Sequence, residues 1–311
     1  MPCDHPFTMP GIEDLVVQPP RSVTWRVHLD RSMWVGGVRG LMLQALHPLA
    51  MLGVWQNSDF QEDPFGRLRR TADFVGRVTF GSPREADEIG RRVRGIHKAL
   101  RIRDPGTGRT HRVDDPELLL WVHCAEVSSY LEVARRGGLR LTEREADRYL
   151  HEQRKSATYV GLHLDDVPGS CAEMDAYFKQ VRAGLRVTEE AAATVRFLMW
   201  PRLPRELRLL SAGKPAYFPF GALCYYTLPD WARRMYRALP EVPGATVTAA
   251  LKAFRLGMNA LPEPVHDRAF SAATRDMLRA SRERLAAAGY DVSKGLRGLT
   301  DPRRRPPEPA A

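Results

Sequence analysis

Apolar residues recur at helical spacing through most of the chain, and two of these stripes carry polar groups where a core should form. In the segment after Asp63, Phe74 and Val78 mark the apolar face of a helix, and Arg67, Arg70 and Thr71 fall on that same stripe. One helix further on, Ile89, Val93, Ile96 and Leu100 form a second stripe that includes His97. A ring nitrogen on such a face needs a partner. Two polar intrusions into neighbouring amphipathic helices predict a buried cofactor pocket.

The helix boundaries follow from caps and punctuation. Asp63 followed by Pro64 predicts a helix start, and Ser82, Pro83 and Glu85 form a capping box that opens the helix of His97. Its polar face is Arg91, Arg92, Arg94 and Lys98. Asp115 with Pro116 starts another helix, which Gly137 and Gly138 stop; Thr142 with Glu145 and Ser170 with Glu173 give two further capping boxes. Asp30 to Gln56 is nearly continuous in apolar character and predicts one buried helix kinked at Pro48. Downstream, helices are expected over 189–200, 204–210, 229–239, 246–261 and 268–288. Strand signals are sparse outside AYFPFGALCYY, with a small hairpin or turn expected over 106–112. The expected fold class is all-α: a single large helical domain over 23–290 with a pocket between core helices, for which a globin-like core is one possible form. Residues 1–22 read as a proline-rich surface arm and 291–311 as a Pro/Arg-rich disordered tail.

Composition changes this picture little. A chain of 311 residues with 43% hydrophobic content can bury a large core, and four scattered cysteines without CxxC spacing indicate neither a zinc cluster, nor a disulfide framework, nor covalent haem attachment. The net charge is +10, yet acidic residues are interleaved with arginine almost throughout. A nucleic-acid reader would cluster its basic residues on one face or tail, so nucleic acid is not expected as a partner. No apolar run reaches the roughly 18 residues of a membrane span, and the first residues lack the order of a secretion signal, so a reduced, cytoplasmic protein is expected.

The chemistry centres on histidines. His97 presented from a helix suits a proximal haem ligand, with one neutral ring nitrogen on iron and the other donating. The plainer reading is a core histidine satisfied by a hydrogen bond. Arg67 and Thr71, four residues apart, would stabilise negative charge developing on bound oxygen; an ion pair and a helix hydroxyl are the structural alternative. His47 precedes Pro48 and is expected to emerge at the kink, and His123 lies among apolar residues with Glu126 three positions on as an orienting partner. Glu263 and His266 have the spacing used in di-iron bundles, but Pro262 and Pro264 break the helix and no second copy exists, which argues against such a site.

Taken in order, LMLQALHPLAMLGVWQNSDFQEDPFGRLRRTADFV, RRVRGIHKAL and DDPELLLWVH resemble the oxygenase family that includes latex-clearing rubber oxygenases and the fungal MpaB oxygenase, over roughly residues 25 to 240. The resemblance implies an all-helical fold, haem b and dioxygen chemistry on a hydrophobic compound. By position it implies His97 as the metal ligand, with Arg67 and Thr71 beside the distal side. Arg70 stands where rubber oxygenases have a lysine able to ligate iron, and a guanidinium does not readily supply that neutral nitrogen. The expected catalytic residues are therefore Arg67, Arg70, Thr71 and His47, the last as general base, and the expected cofactor-binding residues are His97, Arg67, Thr71 and His123. Dioxygen and an intracellular hydrophobic small molecule are the expected partners. The alternative function is a non-catalytic helical ligand-binding or haem-sensing regulatory protein.

Overall fold

Proline in the first turn and a polar cap set several of the helix starts. The structure is a computed structural model and describes residues 11–58, 64–201, 214–267 and 270–300. In chain order its helices are α1 (Ile12–Leu15), α2 (Val23–His28), α3 (Met33–Gln44), α4 (Pro48–Asn57), α5 (Pro64–Phe80), α6 (Pro83–Ala99), α7 (Pro116–Arg136), α8 (Glu143–Thr158), α9 (Cys171–Val181), α10 (Glu189–Met199), α11 (Lys214–Tyr226), α12 (Asp230–Tyr236), α13 (Gly244–Ala260), α14 (Glu263–Asp267), α15 (Ala272–Ala287) and α16 (Gly295–Gly298). Among the described residues the only strands are β1 (Arg101–Arg103) and β2 (Thr110–Arg112), an antiparallel pair with Ile102 opposite His111. The molecule is all-α, with its helices gathered into a single domain.

The main core lies on one side of α3, where Val35, Val38, Met42 and Leu43 meet Trp121, Ala125 and Val133 of α7 together with residues of α10, α11 and α13. The α3–α7 pairing is close because Gly36 lacks a side chain: a Cβ there would sit 3.1 Å from Tyr130 Cδ1. Arg39 ties the same layers together. It is buried, and it donates from Nε to the Thr227 carbonyl at 2.8 Å and from Nη1 to Ser129 Oγ at 2.5 Å.

Several boundaries agree with expectation. The Ser82–Glu85 and Thr142–Glu145 capping boxes both form, and the hairpin closes through Gly108. Ser170 caps α9, but the Glu173 carboxylate accepts from the Gly169 N–H at 2.7 Å instead of from Ser170, so that box is incomplete.

Four expectations are corrected. Pro48 does not kink a continuous helix; it ends one and begins the next. The residue before proline is forced out of the helical region, so His47 is extended (φ −84°, ψ 115°), and its Nδ1 accepts from the Ala50 N–H at 3.4 Å. AYFPFGALCYY is helical, as most of α11, because Cys224 and Tyr225 bury against the helical core while Pro219 stays exposed. Residues 11–22 do not lie loosely on the surface. Val16 and Val17 are buried, and the Gln18 amide donates to the Glu152 carbonyl. Nor is 291–300 an unpacked tail, since Leu296 and Leu299 join Trp25, Phe80 and Leu285 in a satellite core. The helix expected over 204–210 and the basic run PRRRPPEP lie outside the described residues.

Candidate functional site

On the face of α3 opposite the main core, a cavity of about 500 Å³ opens between α3, α5, α6, α7 and α15. That volume suits a drug-sized molecule or a cofactor. Trp34, Leu41, Phe74, Val75, Phe270 and Met277 give it mainly apolar walls. Gly37 lines it too, and a Cβ there would meet nothing within 4 Å, so this glycine leaves room inside the cavity. Arg67, Arg70, Thr71 and His97 all line this same space.

α5 and α6 place these four groups. Thr71 donates from Oγ1 to the Arg67 carbonyl at 3.2 Å, which fixes its hydroxyl one turn along the stripe. Arg67 is half-buried, donates from Nη1 to Ser58 Oγ at 2.6 Å, and pairs with no carboxylate among the described residues. Burial, and secondarily Arg70, hold its pKa below the usual guanidinium value. Arg70 is exposed and stands at the cavity mouth.

His97 has a buried Nδ1 with no hydrogen-bond partner. Burial lowers its pKa, with Arg67 adding to the effect and Asp114 opposing it, so the ring is neutral. A neutral imidazole with an orphaned nitrogen is a group that an external ligand would complete. Its Ile96 neighbour, expected on the same buried stripe, is 48% exposed instead.

A smaller cavity of about 70 Å³ adjoins the first, and His28, His97, Glu126 and Tyr130 line both. His123 lines only this smaller one; its Nε2 is also orphaned, and burial pushes its pKa down to about 4. Glu126 does not orient it as expected. The Tyr130 hydroxyl donates to Glu126 Oε1 at 2.8 Å, because a residue four positions on stands over the same helix face. His28 is held between Thr79 Oγ1 at 2.9 Å and Tyr149 Oη at 3.1 Å. His47 joins neither cavity lining; it caps α4 and lies beside Trp121, ring centroids 6.1 Å apart. The structure thus brings together Arg67, Arg70, Thr71 and His97, puts His123 behind His97, and gives His47 a capping role.

The roof was not legible in the sequence. Trp34 Nε1 donates to His266 Nε2 at 3.3 Å across 232 positions, and Phe270 packs against both rings, edge-to-face with His266. Glu263 and His266, set aside as a metal pair, both line the large cavity. Among the described residues no group of three or more His, Cys, Asp or Glu could hold a metal ion, and no helix is long and apolar enough to cross a membrane.

Residues 25–262 match the family described as ER-bound oxygenase mpaB/B'/rubber oxygenase, catalytic domain. The chain belongs to this family. The span matching the MpaB/rubber oxygenase family carries α3, α5, α6 and α7, and therefore Arg67, Arg70, Thr71, His97 and His123; it ends just before α14, so the roof residues from Glu263 onward lie beyond it. Among solved structures, that of latex clearing protein LCP in the closed state is similar, with a TM-score of 0.55 and 20% identity over 89% of this chain and 75% of that one. At that identity the likeness is one of fold. No curated protein matches the sequence.

Proposed function

We propose that the protein is a haem b-dependent oxygenase that acts with dioxygen on a hydrophobic small molecule in the cytoplasm. The observation carrying this reading is the neutral, orphaned imidazole of His97 facing, with Arg67 and Thr71, an apolar cavity of about 500 Å³ in a chain of an oxygenase family. The residues present fit the cofactor: the neutral His97 would hold its iron, and Gly37 leaves room for it inside the cavity. When bound, haem supplies the redox-active iron that activates dioxygen.

The remaining roles belong to the chain. Arg67, which no carboxylate among the described residues neutralises, directs its guanidinium toward the cavity, where it stabilises negative charge developing on oxygen. Thr71, held by the Arg67 carbonyl, adds a polar oxygen beside it. Arg70 stands at the mouth and guards entry. Phe74, Val75, Met277 and Trp34 exclude water and receive the apolar substrate. His123 and Glu126 form a polar wall of the smaller cavity, which His97 also lines.

An optical spectrum tests this directly. Protein produced with haem is expected to show a Soret band that shifts on reduction and again on exposure to dioxygen, and His97→Ala is expected to lose it. A colourless wild type, or an unchanged band in His97→Ala, would refute the assignment.

A further inference from the structure

Beside α2, α13 and α16 a polar cleft of about 680 Å³ continues the apolar cavity, since Leu29, Asp30, Arg31, Glu263 and Arg297 line both. Its cations outnumber its acids, Arg26, Arg31, Arg255, Lys294 and Arg297 standing against Asp30 and Glu263. Asp30 is matched with Arg255 at 2.6 Å, and Arg26 with Glu145. Among the described residues no carboxylate pairs with Arg31, Lys294 or Arg297, although all three line the cleft.

Arg31 is the most unusual of them. It is 4% exposed; its Nη1 donates to the Met258 and Leu261 carbonyls at the end of α13, and its Nε is buried without a partner. Carbonyl dipoles solvate a guanidinium but leave its charge uncompensated, and buried charges are ordinarily paired. Arg297 donates from Nη2 to Asn259 Oδ1 at 3.0 Å. Burial, and then the proximity of Arg31, hold its pKa below the usual value, although Asp30 and Glu263 oppose the shift.

We propose that the cleft is a carboxylate site, in which Arg31 and Arg297 grip the acid group and Lys294 guards the rim, so that a ligand filling the apolar cavity is held by its charged end. The proposal rests on the cavity being the ligand site, as in the function proposed above, and it names the substrate class: an amphipathic carboxylic acid. The same carboxylate chemistry is offered by the propionates of a haem. A planar guanidinium pairs with a carboxylate through two parallel hydrogen bonds, which an alcohol or ester cannot reproduce.

The test titrates the full-length chain with laurate and with dodecanol, reading tryptophan fluorescence because Trp34 lines the cavity. In parallel, uptake of haem b is compared with that of haem dimethyl ester. If a substrate acid is the ligand, laurate binds about tenfold more tightly than dodecanol with or without haem. If propionates are the ligand, haem b outbinds its diester by a similar factor, and the laurate preference appears only without haem. Either preference is expected to vanish in Arg297→Gln and to shrink in Lys294→Gln, a surface change that does not threaten the fold. Equal binding within both pairs, no binding by any of the four probes, or a preference surviving in an Arg297→Gln/Lys294→Gln double variant would overturn the proposal. Failure of the haem assignment alone leaves the laurate arm intact, so the two failures are distinguishable.

Discussion

The Tyr130 hydroxyl donates to Glu126 Oε1 one turn back along α7, at 2.8 Å, and burial raises that carboxyl to about 7 despite the bond. His28 and His123, in the same wall, are pushed down by burial to about 3 and about 4. These shifts oppose each other in the stability of the fold. Below pH 6.5 the unfolded histidines take up protons that the folded ones refuse, so stability is lost as pH falls toward 4 and 3. From pH 4.5 to 7 the folded chain keeps a proton on Glu126 that the unfolded chain has released, so stability falls as pH rises.

Between pH 4.5 and 6.5 two histidines therefore outweigh one carboxyl, and these three groups together make stability rise with pH by at most about 1.4 kcal/mol per unit. Glu126→Gln removes the opposing proton and is expected to add about as much again to the slope. Urea unfolding at a series of pH values measures it. All other groups are common to both proteins, so equal slopes would show that Glu126 titrates normally.

Gly36 and Gly37 are adjacent on α3 yet should respond oppositely to alanine. A Cβ at Gly36 falls 3.1 Å from Tyr130 Cδ1 and 3.4 Å from Tyr130 Cα, whereas one at Gly37 meets nothing within 4 Å. Gly36→Ala is expected to cost about 1–2 kcal/mol by forcing α3 from α7. Gly37→Ala should gain up to about 1 kcal/mol from helix propensity. Gly37→Phe should also fold, but it fills the cavity and lowers haem or ligand uptake. Thermal midpoints of the two alanine variants that move the same way would contradict this geometry.

Arg39 is a buried cation whose work is structural. It spans the Thr227 carbonyl and Ser129 Oγ, and burial lowers its pKa to about 10, so the charge is retained at neutral pH. Arg39→Ala leaves the carbonyl unsatisfied and opens a void, at a cost of about 3 kcal/mol. Arg39→Lys should recover only a minor part, since a single ammonium does not span the two acceptors in the same fork geometry. Denaturant midpoints of both variants check this, and full recovery by lysine would mean that charge alone matters.

The helices that carry Arg67, Thr71, His97 and His123 were legible because caps and period agree there: Pro64, the Ser82–Glu85 box and Asp115 each mark a start that the structure keeps. Where local signals conflict, tertiary context decided. The aromatic residues of α11 suggest a strand, but Cys224 and Tyr225 bury at helical spacing. The cavity roof was invisible, because Trp34 and His266 meet only after α13 and α14 bring distant segments together. Nor could periodicity show that no carboxylate among the described residues pairs with Arg31. The pairing of Asp30 with Arg255 spans 225 positions, and it leaves Arg31, the next residue, without that acid.

Two histidines from the same stretch of sequence separate cleanly by role. His47 accepts the Ala50 N–H as the cap of α4 and is absent from both cavity walls; His97 lines both and keeps a buried Nδ1 without a partner. His47→Ala is expected to cost about 1 kcal/mol of stability, as loss of a helix cap does, and to leave haem uptake unchanged. His97→Gly should keep its fold, lose haem, and regain a ligated spectrum when imidazole is added, because the deleted ring leaves a space of its own shape beside the cavity. The paired measurement is a thermal midpoint and a haem titration for each variant, with and without imidazole. If His47→Ala abolishes haem uptake at unchanged stability, the capping bond is incidental and His47 belongs to the site; if imidazole restores nothing in a folded His97→Gly, the ring served packing and not ligation.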